Sequence, residues 1–292
     1  MQFGSYVKFL RVAANLSQVG LAARLSNRFI SFSKLDRKTI SRWEAGSSAP
    51  SLVKQLMVIR CLDGDILMLS IGTVNNEYRR YLKIYEISER KNIYNKREED
   101  EISYKKYESS ELNTLDKSKL SFVIRMSYDV DFGIQDFDDF DTQFYVGRRG
   151  ESICSHFVYY VKKIECLNSP ICSQEGIFSD LHILSTYHEE ASHKKMTIQI
   201  LFDLMSRCNE IRYVYLPILD NDLFQLFDLT NCEIIKKGPP INDTSNGVFL
   251  YTRRYKFIQI KVQAEYLLAV LIKLMKLTRQ NNEAIPVIIE DA

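Results

Sequence analysis

Apolar positions along the first 70 residues fall at helical spacing. Tyr6, Leu10 and Ala13 predict a helix over 2–14, which Asn15 interrupts. A second short helix runs through Gln18, Leu21, Ala22 and Leu25, capped by Ser17, whose hydroxyl can satisfy an orphan backbone N–H. LDRKTISRWEAG predicts a third, with Asp36 as cap, Ile40 and Trp43 inward and Gly46 at its end. Pro50 precedes a fourth, SLVKQLMVIRCL, which supplies Leu52, Leu56, Val58, Ile59 and Leu62 as apolar surface. Helices of this length can close a small core of their own.

That pattern dissolves over residues 74–120, which carry 21 charges of mixed sign. Tyr78, Leu82 and Tyr85 predict helix at first. KREEDEISYKKYESSE then reads as a hydrated helix or link, and its heptad is not sustained enough for a coiled coil. From 119 onward short runs rich in β-branched and aromatic residues predict strands: SFVIRM, QFYVGR, SHFVYYVKKIE, LHILSTY, IRYVYLPI, EIIKKG and GVFLYTRRYK. GRRGES supplies a hairpin turn, while MTIQILFDLMSRC and DNDLFQLFDLTN predict helices. The expectation is a multidomain chain: an all-α unit at 1–72, a charged connector at 73–118 and a mixed-sheet α/β body at 119–292. FIQIKVQAEYLLAVLIKLMKLTRQ reads as a terminal amphipathic helix over 258–277, with Leu267, Leu271, Leu274 and Met275 on its apolar stripe. It would pack on the sheet, pair with its copy across a two-fold axis or, as a third alternative, lie on a membrane surface.

A hydrophobic content of 46% and a charged content of 26% exclude a collagen-like, low-complexity or largely disordered chain. No apolar run reaches the roughly 18 residues a bilayer-spanning helix needs, and Lys8 and Arg11 break the first segment. A cytoplasmic, nucleoid-associated protein is expected, with no membrane partner. The 6 scattered cysteines read as ordinary thiols rather than a disulfide framework. The formal net charge is only +2, but residues 1–70 hold 10 basic against 4 acidic side chains. Positive charge concentrated in one small unit attracts a phosphate backbone.

At this point the N-terminal pattern becomes specific. Leu16, Ser17, Gln18, Leu21, Ala22, Thr39, Ile40, Ser41, Glu44, Gly46 and Pro50 resemble, in order, the helix-turn-helix of the lambda-repressor and Cro-like (XRE-type) regulators. Arg11 matches the family's first-helix arginine, which pairs with the glutamate represented here by Glu44. SNRFISFSK intervenes where the family has a short turn; it would lengthen the second helix or project as a loop. The resemblance implies a recognition helix in the major groove of double-stranded DNA, with a palindromic operator read by a homodimer. Its DNA-binding candidates are Gln18, Arg28, Lys34, Arg37, Lys38, Thr39, Ser41 and Arg42. Arginine suits guanine through two parallel hydrogen bonds.

The body's element order resembles the GNAT acyltransferase superfamily over about 121–256. The family's pyrophosphate loop corresponds to LHILSTYHEEASHKKMTIQILFDLM, where Glu189 replaces an arginine or glutamine and Ser192 and Lys194 replace glycines. The tyrosine that often serves as general acid corresponds to Phe227, which has no transferable proton. A fold retained without its reaction is therefore expected: a dimeric transcriptional repressor that is not an enzyme and needs no cofactor, its body serving for assembly or for sensing a small-molecule or protein effector. The alternatives are an acyl-coenzyme A-dependent acyltransferase carrying a DNA-binding domain, and a protein-interaction module.

Two further clusters stand outside that scheme. DVDFGIQDFDDFD lacks the EF-hand spacing and predicts an acidic loop with aromatics dipping inward. His182, His188 and His193 with Cys166 or Cys172 lack a metal-ligand pattern, so no metal site is assigned.

Overall fold

Ser17 Oγ accepts a hydrogen bond from the Gly20 N–H at 2.9 Å and starts α2 (Gln18–Arg28). In the same way the Asp36 carboxylate accepts from the Thr39 N–H at 2.8 Å and starts α3 (Arg37–Glu44). These two helices lie between α1 (Phe3–Ala13) and α4 (Leu52–Cys61). The computed structural model of the chain describes residues 2–66, 69, 103–128, 133–165, 177–188, 192–219, 221–228, 232–242 and 247–280. Val7, Leu21, Leu25, Phe32, Ile40, Trp43 and Val58 form the core of the N-terminal helices. The inserted segment packs inward: a 3-10 turn at Ile30–Phe32 buries Phe32 against Trp43, with ring centroids 6.2 Å apart.

The body is built on β1 (Ser103–Glu108), β2 (Gln143–Arg149), β3 (Ser152–Glu165), β4 (Ile177–His188), β5 (Ile211–Ile218), β6 (Glu233–Lys237) and β9 (Ile258–Gln263). They form one sheet in the order β1-β2-β3-β4-β5-β9-β6, antiparallel throughout except for the parallel pair β4–β5. A small hairpin, β7 (Val248–Leu250) with β8 (Arg253–Tyr255), stands apart. The body is therefore a mixed sheet with helices on both faces, an α/β domain as expected. α5 (Thr114–Tyr128) and α6 (Ile134–Asp139) cover one face through Leu120, Ile124, Tyr128 and Phe137. α7 (Ser192–Arg207) and α9 (Ala264–Gln280) cover the other, and α8 (Asn221–Asp228) lies beside β5 and β7.

Five element expectations change. DVDFGIQDFDDFD, read as an acidic loop, contributes helix α6 with Phe137 buried. GVFLYTRRYK, read as one strand, is the hairpin of β7 and β8. SFVIRM lies within helix α5, not in a strand, because Leu120, Ile124 and Tyr128 at four-residue spacing face the sheet. The terminal segment is two elements: Ile258, Ile260 and Val262 alternate as strand β9, and the helix begins only at Ala264. The sheet begins at Ser103, inside the stretch read as connector, because β1 pairs with β2 along all its residues. The apolar stripe of α9 is consumed within the chain, with Leu267, Leu268, Leu271 and Met275 all buried in the main core.

The N-terminal helices are joined to the body by that same core, in which Tyr6, Leu56, Ile59 and Ile66 pack with Phe202, Met205 and Leu268. α4 runs against α9. Among the described residues no helix is long and apolar enough to cross a membrane.

Candidate functional site

Parallel pairing of β4 and β5 is short. It joins Ser179 to Ile211, Asp180 to Tyr213, Leu181 to Val214 and His182 to Tyr215, and no pair follows. Both strands nevertheless run on, β4 to His188 and β5 to Ile218. β4 remains paired to β3 as far as His188, so its β5-side edge alone is released. The two strands diverge from a vertex at His182 and Tyr215, and α7 begins just after the end of β4.

One row of side chains crosses the sheet at this vertex. Tyr160 on β3, His182 on β4 and Tyr215 on β5 are register neighbours, so their rings stack face to face. Centroids are 4.7 Å apart for Tyr160–His182 and 4.4 Å for His182–Tyr215, with interplanar angles of 2° and 4°. Phe140 closes the row over Tyr160 at 4.9 Å. Burial, aided by the Lys162 charge, brings the His182 imidazole down to about 4, so it is neutral at physiological pH. Burial likewise pushes the Tyr215 phenol up to about 12, reinforced by the charge of Asp180.

Asp180 lies two residues before His182 and is only 5% exposed. Its carboxyl is raised above the ordinary range by burial, although hydrogen bonds from the Tyr215 hydroxyl and the Tyr213 N–H pull the other way. Oδ1 has no hydrogen-bond partner. A second buried cluster sits farther along β4. His156 Nε2 lies 2.8 Å from Ser185 Oγ, and the Tyr128 hydroxyl reaches the Thr186 backbone at 3.5 Å. Burial brings His156 down to about 4.

The N-terminal helices present a different surface. Arg37, Lys38, Ser41 and Arg42 are exposed on α3, Thr39 is half-buried there, and Lys34 is exposed just before it. Arg42 Nη2 donates to Thr39 Oγ1 at 3.2 Å. Behind α3, Arg11 grips Glu44 with two hydrogen bonds, of 2.6 and 3.0 Å, and Gln18 Nε2 donates to the same carboxylate at 2.9 Å. Burial raises the Glu44 carboxyl, but the hydrogen bonds from Arg11 and Gln18 more than reverse this and hold it below its ordinary value. The structure thus gathers Lys34, Arg37, Lys38, Thr39, Ser41 and Arg42 on and beside one helix, and ties Gln18 to that helix's end. Arg28 goes elsewhere. Its guanidinium lies 5.6 Å from the ring centroid of Phe178 on β4, because the insertion carries the end of α2 toward the body.

Of the family's acyltransferase positions, Phe227 is buried in the main core. Glu189 and Glu190 lie outside the described residues, and Ser192 opens α7. Among the described residues no group of three or more His, Cys, Asp or Glu could hold a metal ion. The vertex was poorly legible beforehand. Its one signal was a polar Asp180 and His182 alternating with Leu181 and Ile183 in an otherwise apolar strand.

No family model matches the chain, and no characterised protein matches it in sequence. Solved structures do. A bacterial toxin is 11% identical, with 59% of this chain and 96% of that chain covered and a TM-score of 0.34. An IAA acetyltransferase from Bacillus cereus is 8% identical, with 56% and 99% covered and a TM-score of 0.30. An N-acyl amino acid synthase from uncultured soil microbes is 11% identical, with 57% and 94% covered and a TM-score of 0.32. Against the expectation that the protein is not an enzyme, several of the solved structures it is similar to are described as acetyltransferases or acyltransferases.

Proposed function

We propose that the chain is an acyl-coenzyme A-dependent acyltransferase that carries a sequence-specific DNA-binding domain. The observation that carries the first half is the β4–β5 ladder ending at His182 and Tyr215 while both strands continue. A strand edge released in this way suits an extended, amide-bearing arm, which main-chain N–H and C=O groups recognise as they would another strand. α7 begins at Ser192 beyond the end of β4, and the positive end of a helix suits an anion such as a pyrophosphate. The fit covers the arm and the helix start. The family's loop glycines are missing from the sequence, and residues 189–191 lie outside the described ones.

Acyl-coenzyme A would supply an activated acyl thioester. The chain's own residues would hold its arm along 183–188 and place the acyl end near the vertex. There the neutral His182 imidazole has a lone pair to offer a polar N–H, and the stacked rings on both sides fix its plane. Calorimetric titration with acetyl-coenzyme A is the direct test. Saturable micromolar binding is the expected result, and no heat of binding at millimolar ligand would sink the assignment.

The DNA-binding half is supported by the ordered helix-turn-helix resemblance together with the exposure of Arg37, Lys38, Ser41 and Arg42 on α3. Their side chains are free to reach base edges while Ile40 and Trp43 anchor the helix from behind. In this proposal a homodimer reads a palindromic operator as a repressor, and the acyltransferase body couples its occupancy to gene control. Footprinting on the DNA flanking the chain's own gene should reveal a protected inverted repeat. Equal binding to random duplexes would remove this half and leave the other standing.

A further inference from the structure

We propose that Asp180 anchors a cationic group of the acyl acceptor, so that the acceptor carries two basic nitrogens spaced to meet Asp180 and His182. This inference rests on the acyltransferase reading and names the substrate class of its site.

A carboxylate oxygen buried without a partner is unusual, because burial strips its water and leaves the lost hydrogen bonds unreplaced. Asp180 Oδ1 is such an oxygen, in a residue only 5% exposed. Lys162, the register neighbour of Asp180 on β3, is exposed and forms no ion pair with it among the described residues. Lys261 is 3.6 Å from Glu233 and lies over the Tyr213 ring at 4.3 Å. Arg212 lies over the rings of Tyr213 and Phe178, at 5.2 and 5.8 Å. Neither forms an ion pair with Asp180 among the described residues. The partner that Oδ1 lacks is a donor, and a cationic donor suits it best.

His182 stands one step nearer the strand opening on the same face. Two residues along a strand separate the two positions by about 6.6 Å. A chain of four methylenes between two nitrogens spans roughly 6 Å when extended, from five bonds of about 1.5 Å in zigzag. An acceptor of that form places one ammonium at Asp180 and its second nitrogen at the vertex, beside His182, where the acyl end of the arm arrives. A neutral group at the far end would leave Oδ1 as it is.

Two probes on the unaltered protein decide the matter: 1,4-diaminobutane and butane-1,4-diol, equal in length but with a hydroxyl replacing each ammonium. Calorimetry, with the imidazole resonance of His182 followed by NMR, should show the diamine binding at least about 10-fold tighter, as a charge-assisted hydrogen bond implies. Asp180→Asn should lower diamine affinity to near the level of the diol. Equal affinity for the two probes, or unchanged diamine affinity in a folded Asp180→Asn variant, overturns the proposal. If the variant fails to fold, the comparison of probes on the unaltered protein still decides. Discrimination without acetyl-coenzyme A binding would keep the cation subsite and remove the acyltransferase assignment; acetyl-coenzyme A binding without discrimination would do the reverse.

Discussion

Arg60 Nη1 donates to Glu265 Oε1 at 2.9 Å, and this ion pair is sealed inside the seam between the N-terminal helices and the α/β body. Arg60 is fully buried, and its Nη2 donates to the carbonyls of Cys208 and Ile211 at 3.1 and 2.7 Å. One guanidinium on α4 therefore holds the segment after α7, the start of β5 and the start of α9. The N-terminal helices are welded to the body rather than tethered to it.

Removing one partner should be severe. Arg60→Ala strands the Glu265 carboxylate and two backbone carbonyls, which should cost about 3–5 kcal/mol in equilibrium denaturation. Replacing both partners with apolar residues, Arg60→Met with Glu265→Leu, should recover most of that loss. A single variant within 1 kcal/mol of the parent would show that water enters the seam and satisfies the charge.

Gly4 makes a second prediction. α1 crosses α3 so closely that a Cβ at Gly4 would lie 1.9 Å from the Trp43 carbonyl oxygen. The obstacle is backbone, which cannot rotate away, so Gly4→Ala should force the helices apart at a cost of about 1–3 kcal/mol. If α3 reads DNA as proposed, affinity should fall with stability, because Trp43 carries the inner face of α3. An unchanged melting temperature would refute the close approach.

Acid should destabilise the body before most carboxylates titrate. His156 is buried, and burial holds its imidazole down to about 4, against about 6.5 when unfolded. Above pH 6.5 both states are neutral and stability is independent of this group. As pH falls from about 6.5 to 4 the unfolded state takes up the proton and the folded state does not, which removes about 3 kcal/mol. His156→Gln should flatten that limb of a stability–pH profile, with His182 accounting for what is left of the slope. A profile unchanged by the substitution would show that His156 titrates normally in the folded protein.

Arg42 tests the proposed DNA-reading role of α3. If it reads a base, Arg42→Ala should lose roughly 1–3 kcal/mol of discrimination between operator and random DNA. Its only described side-chain hydrogen bond is to Thr39, on its own helix, so stability should barely change. Equal loss on both DNAs would mean that it holds phosphate alone.

The N-terminal helices were readable in the sequence because their signals are local. Ser17 and Asp36 cap through the N–H three residues on, and the spacing of Leu21, Leu25, Ile40 and Trp43 states which face is inside. Helix boundaries and the Arg11–Glu44 pair followed from pattern and resemblance. Strand-forming content, however, misled at SFVIRM. β-branched and aromatic residues fit either state, and contact of Leu120, Ile124 and Tyr128 with the sheet decides for helix.

What the sequence determined by itself was therefore the list of elements and the caps and apolar faces that make them, each fixed by neighbours a few residues apart. Only the tertiary structure decided how they meet. Arg60 and Glu265 stand 205 residues apart, and neither carries any local sign of its partner. Strand order and the point where β4 leaves β5 depend on long-range register, which composition does not encode. The vertex exists because three strands bring Tyr160, His182 and Tyr215 into one row. Asp180 becomes a buried carboxylate only when the side chains around it close over it. Burial and register are properties of the assembled sheet, and they turned ordinary residues of an apolar strand into the site.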